Sequence, residues 1–458
     1  MTSEANKLNL FDFTMIVVSL VIGMGIFRTP INVAKASPEL WVFFAAWIFG
    51  GIIAWCGALT YAEIGSRMPV TGGYYKIFSY AYHPSIAFAI NCVILVSNAA
   101  SLAAVALVGS EYLTGMFIPL SHDLFGVNAD GIQAIRIILA IAAILIFYGI
   151  NLLGLRLTAK TQNVLTLIKI SLILVLITPL FFDVNAATIP VIEASSANAN
   201  WLDTLKAFGV GLVAVSFTYG GYQQTINFGA EVKHSAKNIP LGIFLGISII
   251  ITLYMAINLA YINVIGFDTL KDSTNIAAIM ASKLFGVSAQ QILSGLLFLS
   301  VLAYVNVLLL SNPRVMSAMC EDKILPTMFS YRHPKTDALS VSLTVFAGLS
   351  ILILFWAKEF DTLLSFTIFL DCFGMILSAA TIFTLRKKTR HLDNTGIYQM
   401  KLFPLLPLIF IAAYCFVGLS IVFDYQQNDY AAAVGSCVMI LFIGLYFFIT
   451  AFKKDRIA

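Results

Sequence analysis

Apolar stretches of roughly twenty residues, separated by short polar breaks, run along the chain from about residue 10 to about residue 452. A helix needs about 20 predominantly apolar residues to cross the hydrocarbon core of a bilayer, so the pattern predicts an all-α polytopic membrane protein with about twelve spans. Their centres fall near residues 24, 53, 100, 142, 172, 217, 252, 302, 347, 374, 413 and 441. The breaks between them are too short to fold as separate soluble domains, and residues 1–458 read as a single membrane domain. Two stretches are interrupted where a helix would be expected to continue. VIGMGIFRTP, Val21 to Pro30, places Gly23, Met24 and Gly25 and then a proline inside the first. GVGLVAVSFTYGGYQQTINF, Gly209 to Phe228, carries Thr218, Tyr219, Gly220, Gly221, Gln223 and Gln224 in the middle of the sixth. Close helix packing through small residues would explain either glycine set alone. Interruptions in spans one and six, five apart, instead predict two repeats whose first helices are both broken. The repeats would cover about 10–182 and about 205–390, with two extra helices over about 402–452.

An interrupted membrane helix exposes N–H and C=O groups without intrahelical partners, and protein, water or a ligand must satisfy them. The half-helix starting after Gly25 offers N–H groups and a positive dipole end to an anion, while the one ending near Val21 offers carbonyls to a cation. An α-amino acid carries both charges on one carbon and fits both sets. Glycine at 23 and 25 is expected because a Cβ there would hold the substrate off the main chain; Pro30 is tolerated in the first turn of the new half-helix or just past it.

Composition and charge refine this picture. The chain is 60% hydrophobic and 11% charged, far from soluble globular usage. With the N-terminus inside, Lys and Arg concentrate in the inner segments, whereas the outer loops hold only Lys35, Lys271, Lys283 and Lys358. Basic residues accumulate on the cytoplasmic side, so both termini are expected there, in the cell membrane. RKKTR, Arg386 to Arg390, is then a topology signal rather than a nucleic-acid patch. The N-terminus lacks the layout of a removable signal peptide. All six cysteines fall in predicted helices or on the inner side, so no structural disulfide is expected. The histidines form no HExxH and the chain contains no GxxxxGK[ST], so neither a zinc protease nor a P-loop ATPase is encoded. No metal or cofactor is expected, and no nucleophile and base arrangement suggests an enzyme.

GMGIF (Gly23–Phe27), YAEIGSRMPVTGGYY (Tyr61–Tyr75), FTYGGYQ (Phe217–Gln223), EVKHSAKNIP (Glu231–Pro240) and the segment Ser311–Pro326 together resemble the amino acid, polyamine and organocation superfamily. The nearest likeness is to the L-type amino acid transporters and their bacterial relatives. The resemblance implies the LeuT fold, alternating access, and a substrate held by Val21, Gly23, Met24, Gly25 and Ile26 at the first break and Phe217, Thr218, Tyr219 and Gly220 at the second. It also implies that Phe217 is a gate closing over substrate. Lys169, the only lysine deep in a span, would stand where sodium-coupled relatives of the fold hold an ion; its expected partners are oxygens near Gly23 and Ser300 or Asn306. Met24 replaces the family's usual serine, and Asn312-Pro313 the usual serine pair. Animal L-type carriers join a heavy subunit through an external cysteine before helix four; Ser121–Gly131 has none, so no disulfide-linked partner is expected.

The remaining polar residues divide by position. Asp371, in the tenth span, is a candidate for coupling or specificity, and Gln223 either lines the pocket or bonds across helices, as does Asn227. Glu63 and Arg67 read as an i,i+4 ion pair, Glu231 with Lys233 and Lys237 as an inner-loop organiser, and Glu111 as hydrated near the outer end. Ser311–Pro326 reads as an amphipathic inner extension, and Asp183–Asp203 as an outer surface loop. The function expected is sodium-independent secondary transport of neutral amino acids, possible by exchange. A cationic amino acid or polyamine is the alternative through Asp371. An ion channel, the rival of another class, should carry repeated pore motifs or charged rings, which are absent.

Overall fold

Asn9 starts the first helix by a reciprocal cap: its side chain accepts from the Asp12 N–H at 2.9 Å, and the Asp12 carboxylate accepts from the Asn9 N–H at 3.3 Å. The helix it opens ends after twelve residues, in the middle of an apolar run. In a computed structural model that describes residues 7–121, 129–182, 201–273, 276–285, 287–356, 360–390, 396–423 and 431–454, that run is two helices, α1 (Leu10–Val21) and α2 (Gly25–Ala36). They are followed by α3 (Leu40–Arg67), α4 (Gly73–Ala81), α5 (Pro84–Ser121), α6 (Ala129–Leu152) and α7 (Leu155–Ile177). Next come α8 (Trp201–Tyr219), α9 (Ser235–Ile265), α10 (Phe267–Asp272), α11 (Ile276–Phe285) and α12 (Val287–Glu321). The chain closes with α13 (Ser340–Trp356), α14 (Phe360–Lys388), α15 (Leu405–Phe423) and α16 (Ala431–Lys454). Most of the outer-loop segments Ser121–Gly131 and Asp183–Asp203 lies outside the described residues.

Among the described residues, ten segments are long and apolar enough to cross a membrane, with α1 and α2 forming one of them, and two shorter apolar helices, Ser340–Phe355 and Gly435–Thr450, bring the number to the expected twelve. The second broken span is α8, a turn at Gly220 and Gly221, and a 3-10 stretch over Tyr222–Asn227. Its continuation tightens because Gly221 (φ +110°) reverses the helical path. The faces divide as a bilayer requires. Large apolar side chains such as Leu145, Ile146, Leu352, Phe355, Ile440 and Leu441 stay exposed, whereas Trp47, Tyr61, Tyr219, Tyr254 and Lys169 are buried among helices. Both breaks lie inside the bundle: α1 packs on α9 and α7, α2 on α8, and α5 on α12 and α14.

The end of the bundle that carries the N-terminal segment is tied by short main-chain links. Leu8 donates to Glu231 O at 2.7 Å and accepts from the Lys233 N–H at 2.9 Å, and Thr71 pairs with Phe228. Two carboxylates at this end have richer partners than their sequence neighbours suggest. Glu63 takes not only Arg67 (2.7 Å) but also both nitrogens of an Arg386 fork (2.8 and 2.6 Å) and the Met400 N–H (2.9 Å). Glu231 is not organised by Lys233 and Lys237: it pairs with Arg314 at 2.7 Å, both side chains buried, because α12 runs straight on through Pro313. The segment from Ser311 is accordingly not an amphipathic extension; it is buried through Cys320 under α4 and α5. Glu111 is half-buried with its side chain 42% exposed, and lies 3.8 Å from Arg136, in keeping with a hydrated position.

Candidate functional site

Between the two breaks lies a cavity lined by Leu20, Val21, Gly23, Met24 and Gly25 of the first and by Ser216, Phe217, Thr218, Gly220 and Gly221 of the second. The orphan groups are complementary. At the start of α2, among the described residues, no side chain caps the helix and no main-chain carbonyl accepts from the Met24, Gly25 or Ile26 N–H. At the end of α1 the Gly23 N–H turns to Val21 O (2.7 Å), and at the end of α8 the Gly220 N–H turns to Phe217 O (3.2 Å). The carbonyls of Leu20 and Ser216 are left without their usual main-chain donors. Free amides and a helix N-terminus thus stand a few residues from free carbonyls, in one chamber.

Three contacts hold the breaks in this geometry. The Lys169 ammonium, fully buried on α7, donates to Ile22 O within the first break. Tyr254 of α9 donates from its hydroxyl to Val21 O (3.2 Å) and to Thr218 O (3.3 Å), joining the two breaks. Thr218 bonds Thr29 of α2 at 2.8 Å. The second partner expected for Lys169 is not reached. Asn306 instead accepts from Asn151 (2.9 Å) and donates to Gln162 (2.6 Å), and Gln162 in turn donates to Ser19, so that α6, α12, α7 and α1 share one buried polar chain. Among the described residues, Ile22 O is the only hydrogen-bond acceptor of Lys169.

The glycines serve more than substrate access. A Cβ on Gly25 would point at Thr218, 2.8 Å from Oγ1 and 3.2 Å from Cα, so this glycine permits α2 to approach α8 closely. A Cβ on Gly23 would meet only the Tyr304 ring, at 3.5 Å, an ordinary contact facing a lining residue. Gly221 is the most constrained: a Cβ there would overlap Leu20 O and lie 2.9 Å from Leu20 C.

Val21, Gly23, Met24, Gly25, Phe217, Thr218, Gly220, Gln223 and Asp371 all line the cavity. Ile26 is not among the lining residues, and its side chain is buried in the core. Tyr219 turns away and packs edge-on against Trp47 (centroids 5.9 Å apart) and against Tyr254 (5.1 Å). Gln223 accepts from the Gly221 N–H at 2.9 Å, whereas Asn227 is structural, holding the Tyr74 N–H at 3.0 Å and Ser311 at 3.2 Å. Gln224, marked in the sequence only as part of the second interruption, also lines the cavity, and the wall further includes residues the sequence did not single out: Asn98, Ser101 and Val105 on α5, Tyr304 on α12, Met375 on α14 and Tyr414 on α15. Asn98 donates to Asn312 (2.7 Å) and accepts from Gln224 (3.0 Å), and Ser101 and Tyr304 share a hydrogen bond at 3.0 Å.

A family model described as amino acid permease matches residues 8–452. The chain is 26% identical over 443 residues to the serine/threonine exchanger SteT of Bacillus subtilis (strain 168), covering 95% of each chain. It is 25% identical over 447 residues to the large neutral amino acids transporter small subunit 2 of Rattus norvegicus, covering 94% of this chain and 78% of that one. A methylthioribose transporter of Bacillus subtilis (strain 168) is 28% identical over 425 residues, covering 89% of this chain and 86% of that protein.

Proposed function

The chain belongs to the amino acid permease family, and on that premise we propose that it exchanges neutral amino acids across the cell membrane by alternating access, independently of sodium. The observation that carries this reading is the pair of complementary orphan sets: unbonded amides at Met24–Ile26 opposite unbonded carbonyls of Leu20 and Ser216. The carboxylate of an amino acid would cap α2 and its ammonium would take the carbonyls, leaving the side chain to face Asn98, Ser101, Tyr304 and Asp371. Phe217, at the last turn of α8 and on the cavity wall, is placed to close over it. Exchange and neutral substrates are in keeping with what the relatives' names state of those proteins.

Broken spans five apart support a five-plus-five inverted repeat over about 10–182 and about 205–390, with two extra helices after it. The buried Lys169 ammonium on Ile22 O supports sodium independence, since it brings a fixed positive charge to the first break. The loop charges support cytoplasmic termini, and the lack of a cysteine in Ser121–Gly131 supports transport without a disulfide-linked heavy subunit. A cationic amino acid is the second reading, favoured by Asp371 on the cavity wall. A polyamine suits the cavity less well, having no carboxylate for the amides of α2.

The test is competition for binding to the purified chain by alanine, alanine methyl ester and ethylamine. Both ends of the zwitterion are needed, so the ester and the amine should each bind at least about 100-fold more weakly, as losing one partner of a charged hydrogen-bond set implies. Binding of either as tight as alanine would overturn the proposal.

A further inference from the structure

Among the described residues, Asp371 is the only carboxylate on the cavity wall, and it stands on α14, a different element from either break. Among the described residues it has no ion-pair partner. The basic side chains of its own helix, Arg386 to Lys388, lie at the far end of α14, where Arg386 serves Glu63 and Lys388 serves the Tyr80 carbonyl. Ser97 approaches the carboxylate, yet the serine hydroxyl is buried without a completed hydrogen bond. Gln224 adds a second buried acceptor, its Oε1, that lacks a donor. The amide nitrogens that could have served are engaged: Asn98 donates to Asn312 and Gln224 donates to Asn98. A half-buried carboxylate without a cation is costly inside a membrane bundle, and the cavity it lines is where a further donor can reach it.

The geometry points to Asp371 as the reader of the substrate side chain, selecting neutral amino acids whose side chain ends in a hydrogen-bond donor, such as a hydroxyl, over aliphatic ones of the same shape. This rests on the reading that the breaks hold the substrate's carboxylate and ammonium. Those groups are consumed at α1, α2 and α8, leaving only the side chain to reach α14. Charge balance favours a neutral donor over a cation. Lys169 is a buried basic side chain beside the first break and Asp371 a half-buried acidic one on the cavity wall, so the bundle carries one residue of each sign, and a zwitterion leaves that sum unchanged whereas a cationic side chain adds a charge.

Affinities for serine against alanine and threonine against valine would be measured on the purified full chain, with lysine as the cationic probe, for wild type, Asp371→Asn and Asp371→Leu. Wild type should prefer serine to alanine and threonine to valine by about tenfold, the scale of one hydrogen bond to a charged acceptor. That ratio should fall by about threefold in Asp371→Asn, which keeps a neutral acceptor, and approach one in Asp371→Leu. A wild-type ratio near one overturns the inference whether or not the variants fold, and so does a ratio the variants leave unchanged. Equal loss of all four amino acids in the variants overturns it too, because the carboxylate would then hold the α-ammonium. Tighter binding of lysine than of serine overturns the preference for a neutral donor while leaving the backbone site standing. Binding of no amino acid removes that site as well.

Discussion

Replacing Gly221 by alanine, with Gly220→Ala as its control, separates a backbone requirement from the mere presence of a small residue. The two glycines are adjacent in the second break, but only Gly221 has a left-handed backbone, at φ +110°. A side chain there costs roughly 1–2 kcal/mol in conformation alone. Its Cβ would also overlap Leu20 O and lie 2.9 Å from Leu20 C, so the two breaks must separate. Leu20 O is one of the two carbonyls proposed to take the substrate ammonium, and on that proposal its displacement moves the site directly. A combined cost of about 1–3 kcal/mol, typical of a strained backbone position, corresponds to an affinity loss of roughly 5- to 100-fold if it falls on the binding-competent conformation. At Gly220 the added Cβ would sit 3.3 Å from Ser216 O and Phe217 O with no positive φ, and a few tenths of an ångström of adjustment suffices. The assay is equilibrium binding of a labelled amino acid to detergent-purified protein, scaled to the folded fraction from size-exclusion chromatography. Equal affinities in the two variants would refute the claim that the Gly221 backbone sets the distance between the breaks.

Gly25→Val should abolish binding and lower Tm, because its side chain meets Thr218 on the facing helix, while Gly23→Ala should fold normally and weaken binding by less than about tenfold, consistent with a simple van der Waals contact; parallel binding and melting curves check both. Phe217→Ala should reduce transport more than equilibrium binding, since closure is a conformational step; a transport rate equal to wild type would remove Phe217 as gate. Lys169→Ala should strongly reduce uptake in both sodium and choline buffers, because Ile22 O loses its donor; normal uptake by the mutant, or collapse of wild-type uptake without sodium, would show that Lys169 does not stand in for an ion. Arg314→Ala should leave Glu231 as an unpaired buried charge, a loss of about 3–5 kcal/mol, read as a large fall in Tm that Glu231→Ala in the same chain partly restores.

The spans and the breaks were legible because hydropathy and glycine placement are local signals. A bilayer imposes length on every helix, and the close approach of the two breaks demands residues such as Gly25 and Gly221. The direction of a side chain beside a break was not legible. Thr218 and Tyr219 are neighbours, yet a helix turns about 100° per residue, so one faces the chamber and the other packs on Trp47. Long-range partners were hidden for the same reason. Nothing near Glu231 announces Arg314, 83 residues away, and nothing near Lys169 diverts Asn306 to Gln162. Ser311–Pro326 read as an amphipathic extension after the span, but Asn312 bonds Leu308 O and Arg314 bonds Leu310 O, and α12 continues buried past Pro313. The lining residues Asn98, Ser101, Tyr304 and Tyr414 come from three helices that meet only in the folded bundle, so no spacing along the chain marks them.

The central claim is that one amino acid held between the breaks is exchanged for another. Its most direct measurement is uptake of labelled serine into proteoliposomes containing the purified chain, in choline buffer, with and without unlabelled serine inside. The account predicts rapid accumulation only in preloaded vesicles. Equal uptake into empty vesicles, or none in either without added sodium, would contradict it.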